Sequence, residues 1–297
     1  MKVTANGIQI EVEDSGGEGR PVILLIMGLG MQLIAWPGEF VQALVDGGFR
    51  VIRHDNRDIG LSQGFDDAGT GSVVWQSVRQ RLGLPVRCAY SLQDMADDAL
   101  GVLDALGIGR AHVIGVSMGG MIAQRLAAGA PGRMASLVSI MSSSGARKLP
   151  GPRPDVAAAL LRRPASRTEA ALVEHGLKFS RLISSPAFAR DERVQADRIA
   201  RALRRAYRPA GVVRQILAIT ADNGRADLLS RIESPSLVLH GEADRLVPIA
   251  CGKDTARRIP GARFVGIPGM GHDLPPPVID ILLQHIVPFL QTAENRS

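Results

Sequence analysis

A serine between two glycines is the strongest chemical signal in this 297-residue chain. The segment Gly115-Val-Ser117-Met-Gly119 follows the short apolar run Ala111–Val116 and precedes residues 118–130, which have helical character. A Gly-x-Ser-x-Gly pattern between a strand and a helix is typical of a sharp turn that exposes a nucleophilic hydroxyl, because the glycines let neighbouring backbone approach closely. The sequence therefore predicts that Ser117 is a nucleophile.

A serine hydroxyl becomes a good nucleophile when an imidazole accepts its proton and a carboxylate orients that imidazole. His272 follows the last strand-like segment and precedes the last helical one, where a loop can carry it over a sheet. The acid is expected in the loop after the apolar residues 236–240, since loops after parallel strands line an active-site crevice. Asp244 is the first choice in that loop, and Glu242 is the alternative.

Attack by Ser117 on a carbonyl group would create an oxyanion that needs two N–H donors. The backbone N–H of Met118, directly after the nucleophile, is one candidate. The other is the backbone N–H of Leu29, in the glycine-rich loop that follows the apolar residues 21–27. Backbone donors leave little side-chain signature, so an ordinary turn at this loop stays open as an alternative.

Methionines recur in the segments expected around these groups. Soft, unbranched side chains there would form an apolar pocket that tolerates several substrate shapes. Simple packing at the ends of the strands explains the same residues equally well. The predicted pocket lining consists of Met27, Gly28, Met31, Met121 and Met270.

These groups must be positioned by a larger framework. Apolar segments of strand length alternate with helical segments through residues 1–144 and again through residues 233–297. Continuous apolar runs such as Ala111–Val116 are typical of strands buried on both faces of a parallel sheet. The sequence predicts an α/β fold with a mostly parallel central sheet flanked by helices. Residues 145–232 contain no convincing strand and predict a helical insertion after about the sixth strand.

The charge pattern argues against a nucleic-acid partner. The formal net charge is +6, and residues 145–232 alone hold 18 basic and 8 acidic residues. Arginines at helical spacing usually form a solvated helix face, and steering of anionic substrates is the alternative. Aromatic residues make up only 4% of the chain, which leaves few rings on which bases could stack.

Apolar runs and cysteines exclude further classes of protein. No apolar run approaches the roughly 20 residues of a membrane helix, and residues 1–14 lack the apolar stretch of a signal peptide. Cys88 and Cys251 provide neither a disulfide framework nor a metal cluster. We therefore expect a cytoplasmic protein with no metal and no membrane partner.

Taken together, the motifs resemble those of the α/β-hydrolase fold family over almost the whole chain. The resemblance implies an α/β-hydrolase fold and a Ser-Asp-His order of catalytic residues. It also implies that residues 145–232 form a cap domain over a core domain of residues 1–144 and 233–297. The motifs are Met27-Gly-Leu-Gly30, Asp55-Asn-Arg57-Asp-Ile-Gly60-Leu-Ser62, Gly115-Val-Ser-Met-Gly-Gly120, Gly241-Glu-Ala-Asp244 and Gly271-His272.

The glycine-rich loop after residues 21–27, which carries the candidate donor Leu29, resembles that of one subfamily more closely. Its Met-Gly pair replaces the commoner His-Gly, and Trp36-Pro37 follows closely. In both respects the loop is similar to that of the aclacinomycin-methylesterase-like carboxylesterases, which cleave methyl and other small esters without a cofactor. Some relatives carry the acid after the preceding strand, but residues 141–145 contain no carboxylate here. That absence favours Asp244.

The leading prediction is a serine esterase that acts on a small-molecule carboxylic ester through an acyl-enzyme. Lactonases, carbon–carbon bond hydrolases and perhydrolases use the same triad and stay open as alternatives. A non-catalytic ligand-binding or sensor protein on this scaffold is a further alternative. Dehalogenases and epoxide hydrolases of this fold need a carboxylate nucleophile, which Ser117 excludes. The sequence indicates neither the physiological ester nor an oligomeric state.

Overall fold

The computed structural model describes residues 1–295 and is built on a sheet of eight strands. Along the chain these are β1 (Lys2–Ala5), β2 (Ile8–Asp14), β3 (Val22–Ile26), β4 (Arg50–His54), β5 (Ala111–Val116), β6 (Met134–Ile140), β7 (Ser236–Gly241) and β8 (Arg263–Ile267). Their order across the sheet is β1-β2-β4-β3-β5-β6-β7-β8. The β1–β2 and β2–β4 pairs are antiparallel, and every pair from β4 to β8 is parallel. This is the mostly parallel sheet that the sequence predicts.

Burial along the strands follows their sequence pattern. Every residue of β5 and β6 is buried, and β3 is buried after its first residue. Strands of this kind read as continuous apolar runs because helices cover both faces of the sheet. In β2, by contrast, only Ile10 and Val12 are buried, and the residues between and beside them are at least partly exposed.

Helices cover both faces of the sheet. They are α1 (Gly38–Asp46), α2 (Val73–Arg81), α3 (Leu92–Ala105), α4 (Met118–Gly129), α5 (Pro154–Leu160), α6 (Glu169–Ile183), α7 (Glu192–Arg205), α8 (Pro209–Ala221), α9 (Arg225–Leu228), α10 (Ile249–Arg258) and α11 (Pro276–Glu294). One apolar cluster packs α3 and α4 against the sheet, and a second packs α1 and α11 against the other face. In the second cluster, Trp36 stacks on Phe40 with ring centroids 5.2 Å apart. Within residues 1–295, no helix combines the length and the apolar character that crossing a bilayer requires.

The helical insertion, residues 145–232, lies between β6 and β7 and contains α5 to α9. Helices α6 and α7 pack against each other, and α8 packs against α2. The end of the insertion is embedded in the core, where Ala218, Leu229 and Ile232 join the cluster around α3 and α4. The insertion is therefore packed on the sheet domain along its second half.

Two helices outside the insertion, α2 and α10, are not predicted from the sequence. In α2 the usual pattern is inverted, because Val74 and Trp75 face solvent while Gln76 is buried. Trp75 is 58% exposed. Helix α10 contains Gly252, where a Cβ would overlap the His240 ring, so packing against β7 places a poor helix former inside a helix.

Candidate active site

Ser117 lies at the turn between β5 and α4, in a backbone conformation that few side chains adopt. Its φ is 57° and its ψ is −119°. Such a backbone conformation costs about 1–3 kcal/mol, which contacts around the turn must offset. Two glycines allow the turn. A Cβ on Gly115 would overlap the carbonyl oxygen of Gly119, and a Cβ on Gly119 would overlap that of Ile26. The close packing of α4 on β3 and β5 thus presents Ser117 at the carboxyl edge of the sheet.

His272 connects Ser117 to Asp244. The distance from His272 Nε2 to Ser117 Oγ is 2.9 Å, and the distance from His272 Nδ1 to Asp244 Oδ2 is 2.6 Å. A carboxylate only accepts hydrogen bonds, so Nδ1 carries the proton and Nε2 is left to accept from the serine hydroxyl. Asp244 is 7% exposed and His272 is 9% exposed. A hydrogen-bonded line therefore runs from a buried carboxylate to the hydroxyl of Ser117.

The other oxygen of the Asp244 carboxylate is held by its own loop. The backbone N–H groups of Leu246 and Val247 donate to Asp244 Oδ1 at 2.9 and 2.8 Å. His240 Nε2 donates to the Val247 carbonyl at 2.7 Å and lies 3.7 Å from Asp244 Oδ2. Burial lowers the pKa of His240, so its ring is neutral near pH 7. Glu242, the alternative acid, is exposed.

The loop that carries His272 is bonded to the insertion. The His272 N–H donates to the Ile183 carbonyl at 2.7 Å, and the Gly271 N–H donates to Ser185 Oγ at 2.8 Å. The Ser185 N–H in turn donates to the Asp273 carboxylate at 2.9 Å. Sequence reasoning missed Ile183 and Ser185, because a backbone carbonyl and a serine just after a helix belong to no recognisable motif.

The loop after β3 lies beside Ser117. A Cβ on Gly28 would be 3.2 Å from the Ser117 Cβ, so this glycine brings the loop backbone against the serine. Met118 is the first residue of α4, and its N–H therefore has no acceptor within the helix. Among residues 1–295 no hydrogen-bond acceptor faces the N–H of Met118 or of Leu29. Both predicted oxyanion donors thus have free N–H groups.

The predicted pocket methionines lie in three different environments. Met27 and Met270 are buried in the cluster around α1 and α11. Met121 is buried in the cluster around α3 and α4, as is Met118. Met31 is 48% exposed. Core packing accounts for the buried ones, and their contribution to a substrate pocket stays a prediction.

The cysteines are buried or partly buried and lie outside the line of Ser117, His272 and Asp244. Cys88 and Cys251 are both free thiols, and burial raises the pKa of each. A raised pKa keeps a thiol protonated and unreactive near neutral pH. In the described part of the chain, no group of three or more His, Cys, Asp or Glu side chains is arranged to hold a metal ion.

The family follows from comparison with known proteins. A family model described as alpha/beta hydrolase fold matches residues 21–275. The chain belongs to this family. The α/β-hydrolase fold expected from the motifs is thereby confirmed.

Relatives within the α/β-hydrolase family are similar over nearly the whole chain. Rhodomycin D methylesterase of Streptomyces peucetius is 30% identical over an alignment that covers 92% of each protein. Among solved structures, the enol-lactonase from Burkholderia xenovorans LB400 superposes with a TM-score of 0.75 at 24% identity, covering 98% of this chain and 100% of that one. A thermophilic esterase from Thermogutta terrifontis gives a TM-score of 0.70 at 25% identity, covering 99% and 98%.

Proposed function

We propose that this α/β-hydrolase is a serine-dependent hydrolase of carboxylic esters. The observation that carries the proposal is the pair of hydrogen bonds made by His272. Its Nε2 lies 2.9 Å from Ser117 Oγ, and its Nδ1 lies 2.6 Å from Asp244 Oδ2. This arrangement activates a hydroxyl that is otherwise a weak nucleophile. The similarity to a rhodomycin D methylesterase supports small alkyl esters, methyl esters included, as the substrate class.

In the proposed reaction the Ser117 oxygen attacks the ester carbonyl carbon while His272 Nε2 takes the hydroxyl proton. The bond from that carbon to the alcohol oxygen then breaks, and the imidazolium returns the proton to the departing alkoxide. A free alcohol leaves, and an acyl-enzyme remains on Ser117. Water then attacks the acyl carbon while His272 takes its proton, the bond from that carbon to Ser117 Oγ breaks, and the imidazolium returns the proton to Ser117 as the carboxylic acid leaves. Asp244 stays ionised and stabilises the imidazolium in both steps.

Two backbone groups would stabilise the oxyanion that forms in each step. We assign this role to the N–H groups of Met118 and Leu29, which have no other acceptor in residues 1–295. Loss of one such donor typically lowers kcat by about 10²–10³-fold. Because both are backbone groups, their placement depends on the contacts that hold the start of α4 and the loop after β3.

The insertion, residues 145–232, would act as a cap domain on a core domain of residues 1–144 and 233–297. Its bonds through Ile183 and Ser185 to the loop of His272 support this assignment. A cap at this place would shape the substrate pocket and select the ester. Met27, Gly28, Met31, Met121 and Met270 remain the proposed lining on the core side.

Eight of the sixteen arginines of the cap form ion pairs, and for these eight a structural role is favoured over the attraction of anionic substrates. Within the cap, Arg181 pairs with Glu192 at 2.6 Å, and Arg204 pairs with Glu169 at 2.7 Å. Arg214 reaches across to Asp58 of the core at 2.5 Å. The proposed partner is a small-molecule ester, and the mechanism needs no cofactor, nucleic acid or membrane. A cytoplasmic location stays a prediction.

Mass spectrometry of the intact protein after treatment with a fluorophosphonate tests the proposal. We expect one adduct, mapped to Ser117 by peptide analysis and absent from His272→Ala, because only an activated serine reacts with this reagent. A panel of methyl esters, longer esters and lactones then separates esterase from lactonase activity. An unlabelled wild-type protein without turnover would contradict the proposal and favour a ligand-binding protein on a hydrolase scaffold.

A further inference from the structure

We infer that Gln215, on helix α8 of the insertion, is a positioning residue for the oxyanion hole, an inference that rests on the proposed ester hydrolysis. Gln215 is fully buried. Its Oε1 accepts from the Gly30 N–H at 2.9 Å, and its Nε2 donates to the Arg57 carbonyl at 3.0 Å. One side-chain amide therefore ties the loop after β3 to the loop after β4.

The bond to Gly30 completes the hydrogen bonding of a tight turn around the proposed donor. The Met31 N–H donates to the Gly28 carbonyl at 3.2 Å, which closes a four-residue turn with Leu29 and Gly30 at its centre. Gly30 has a φ of +67°, the conformation that the third position of a type II turn requires and that glycine adopts readily. Gln215 holds the Gly30 N–H, and Leu29 is left as the turn residue whose N–H is unpaired in residues 1–295.

The same loop is docked on the insertion at a second point. Gln32 Nε2 donates to the carbonyls of Ala202 and Ala206 at 2.7 and 2.9 Å, at the end of α7. Arg205 Nη1 donates to Gln32 Oε1 at 2.7 Å. The loop is thus held on both sides of Met31, and Gln215 provides the contact nearest to Leu29.

The chemistry of Gln215 favours a positioning role over simple packing. A fully buried amide is costly unless all its groups are bonded, and an apolar side chain could fill the same volume. Both of its partners are backbone groups, in the loops after β3 and β4, rather than side chains of the core. The hydrogen bonds of Gln215 go to Gly30 and Arg57 and not to Ser117 or His272, so its influence on the reaction passes through the loop backbone.

The test compares two glutamine-to-methionine variants with the wild-type enzyme. Gln215→Met keeps a similar length but removes the amide, so the turn loses its support. We expect kcat to fall about 10–100-fold, KM to stay near its wild-type value, and the affinity for a trifluoromethyl ketone to fall in proportion to kcat/KM. The matched control is Gln124→Met. Gln124 is also fully buried, but it bonds Ser139 and Arg225 side chains, and its loss should leave kcat and the inhibitor affinity near wild type.

A second variant, Gln215→Glu, gives a readout that a structural role would not produce. In its neutral form the carboxyl group presents an oxygen to the Gly30 N–H and an O–H to the Arg57 carbonyl, so both bonds are restored. The ionised form repels that carbonyl. The ratio of variant kcat to wild-type kcat should therefore rise as the pH falls.

The outcomes separate the two proposals. A folded Gln215→Met enzyme with wild-type kcat, or one whose kcat falls while the ketone binds as tightly as before, overturns the role of Gln215. If that variant does not fold, a pH-independent activity ratio for Gln215→Glu overturns it instead. A wild-type protein that neither reacts with the fluorophosphonate nor turns over an ester overturns the proposed function, and the inference with it.

Discussion

Asp244 and Glu242 lie two residues apart in one loop, but only Asp244 is placed to orient the His272 imidazole. The Asp244 carboxylate is buried, accepts two backbone N–H groups on one oxygen and contacts His272 Nδ1 at 2.6 Å with the other. Glu242 is exposed. Only a carboxylate with fixed orientation can hold an imidazole in the tautomer that leaves Nε2 as a base.

Substituting each acid separately checks this difference. Asp244→Asn should lower kcat by about 10³–10⁴-fold, because the amide no longer stabilises the imidazolium and can impose the wrong tautomer. Glu242→Gln, the matched control two residues away, should leave kcat near wild type. Steady-state kinetics on one methyl ester is sufficient. A larger loss from Glu242→Gln than from Asp244→Asn would refute the assignment.

At this scale, short motifs predicted the candidate triad and the candidate oxyanion donors, but not the residues that hold the surrounding loops. Ser117, Asp244 and His272 stand in short patterns of glycine and polar residues, and the structure brings the three together. Gln215 and Ser185 act on backbone N–H groups of distant loops. Such contacts leave no local pattern, since many residue types tolerate the same helix or loop positions.

Among the elements, the contact between α4 and β3 determines the position of Ser117. A Cβ on Gly119 would overlap the Ile26 carbonyl oxygen and lie 2.8 Å from that of Met27. At the other end of the same helix, a Cβ on Gly129 would meet no atom within 4 Å. Gly119 and Gly129 therefore stand in α4 for different reasons.

Replacing each of these glycines by alanine should give opposite effects on stability. Gly119→Ala should lower the free energy of unfolding by about 1–3 kcal/mol, because helix and strand must separate, and kcat should fall as Ser117 moves. Gly129→Ala should raise stability by up to about 1 kcal/mol, since alanine favours the helix. Urea denaturation with kinetics on the same samples measures both. Equal losses from the two variants would contradict this account of the turn.

Elements with ordinary patterns were predictable, and those with unusual packing were not. The apolar run predicted at Ala111–Val116 and the helix predicted at residues 118–130 match β5 and α4 within one residue. Helix α2 exposes its apolar residues and buries Gln76, so its pattern gives no clear signal. In α10, the need for space next to His240 places Gly252 inside the helix, against its intrinsic preference.

Across the whole molecule, three histidines are enclosed in the sheet domain. His54, His112 and His240 are each at most 1% exposed. Burial lowers the pKa of all three, and that of His54 falls to about 4. A neutral imidazole is therefore part of the folded state at each site, and protonation favours unfolding.

The free energy of unfolding should decrease as the pH is lowered through a range set by the pKa of His54. Between pH 6.5, its usual pKa, and about 4, the unfolded chain binds a proton that the folded protein excludes. Stability from this residue is complete above that window and is lost as the pH falls through it, by about 3 kcal/mol in total. Urea denaturation at several pH values should show a shallower decline for His54→Leu. The control is His285→Gln, at a partly exposed helix position, which should keep the wild-type dependence of the free energy of unfolding on pH. If His54→Leu also keeps that dependence, His54 is not its cause.

The overall architecture could be read from the sequence because it depends on periodicity along short segments. The contacts between the insertion and the core could not, since they join residues far apart in the chain. Arg214 pairs with Asp58, and Arg205 pairs with Asp55. The sequence showed only that basic residues are concentrated in residues 145–232, and the positions of the acidic partners emerge only when the chain is folded.

The two tryptophans differ in exposure, so their fluorescence responds differently to changes in the regions around them. Trp36 is 2% exposed and stacks on Phe40, whereas Trp75 is 58% exposed on α2, the helix that packs against α8. An enclosed indole emits at shorter wavelength and is shielded from iodide, while an exposed one emits at longer wavelength and is quenched. A shift of the emission to longer wavelength in the unlabelled protein therefore reports mainly the unfolding of the core around Trp36, because Trp75 is already exposed in the folded state.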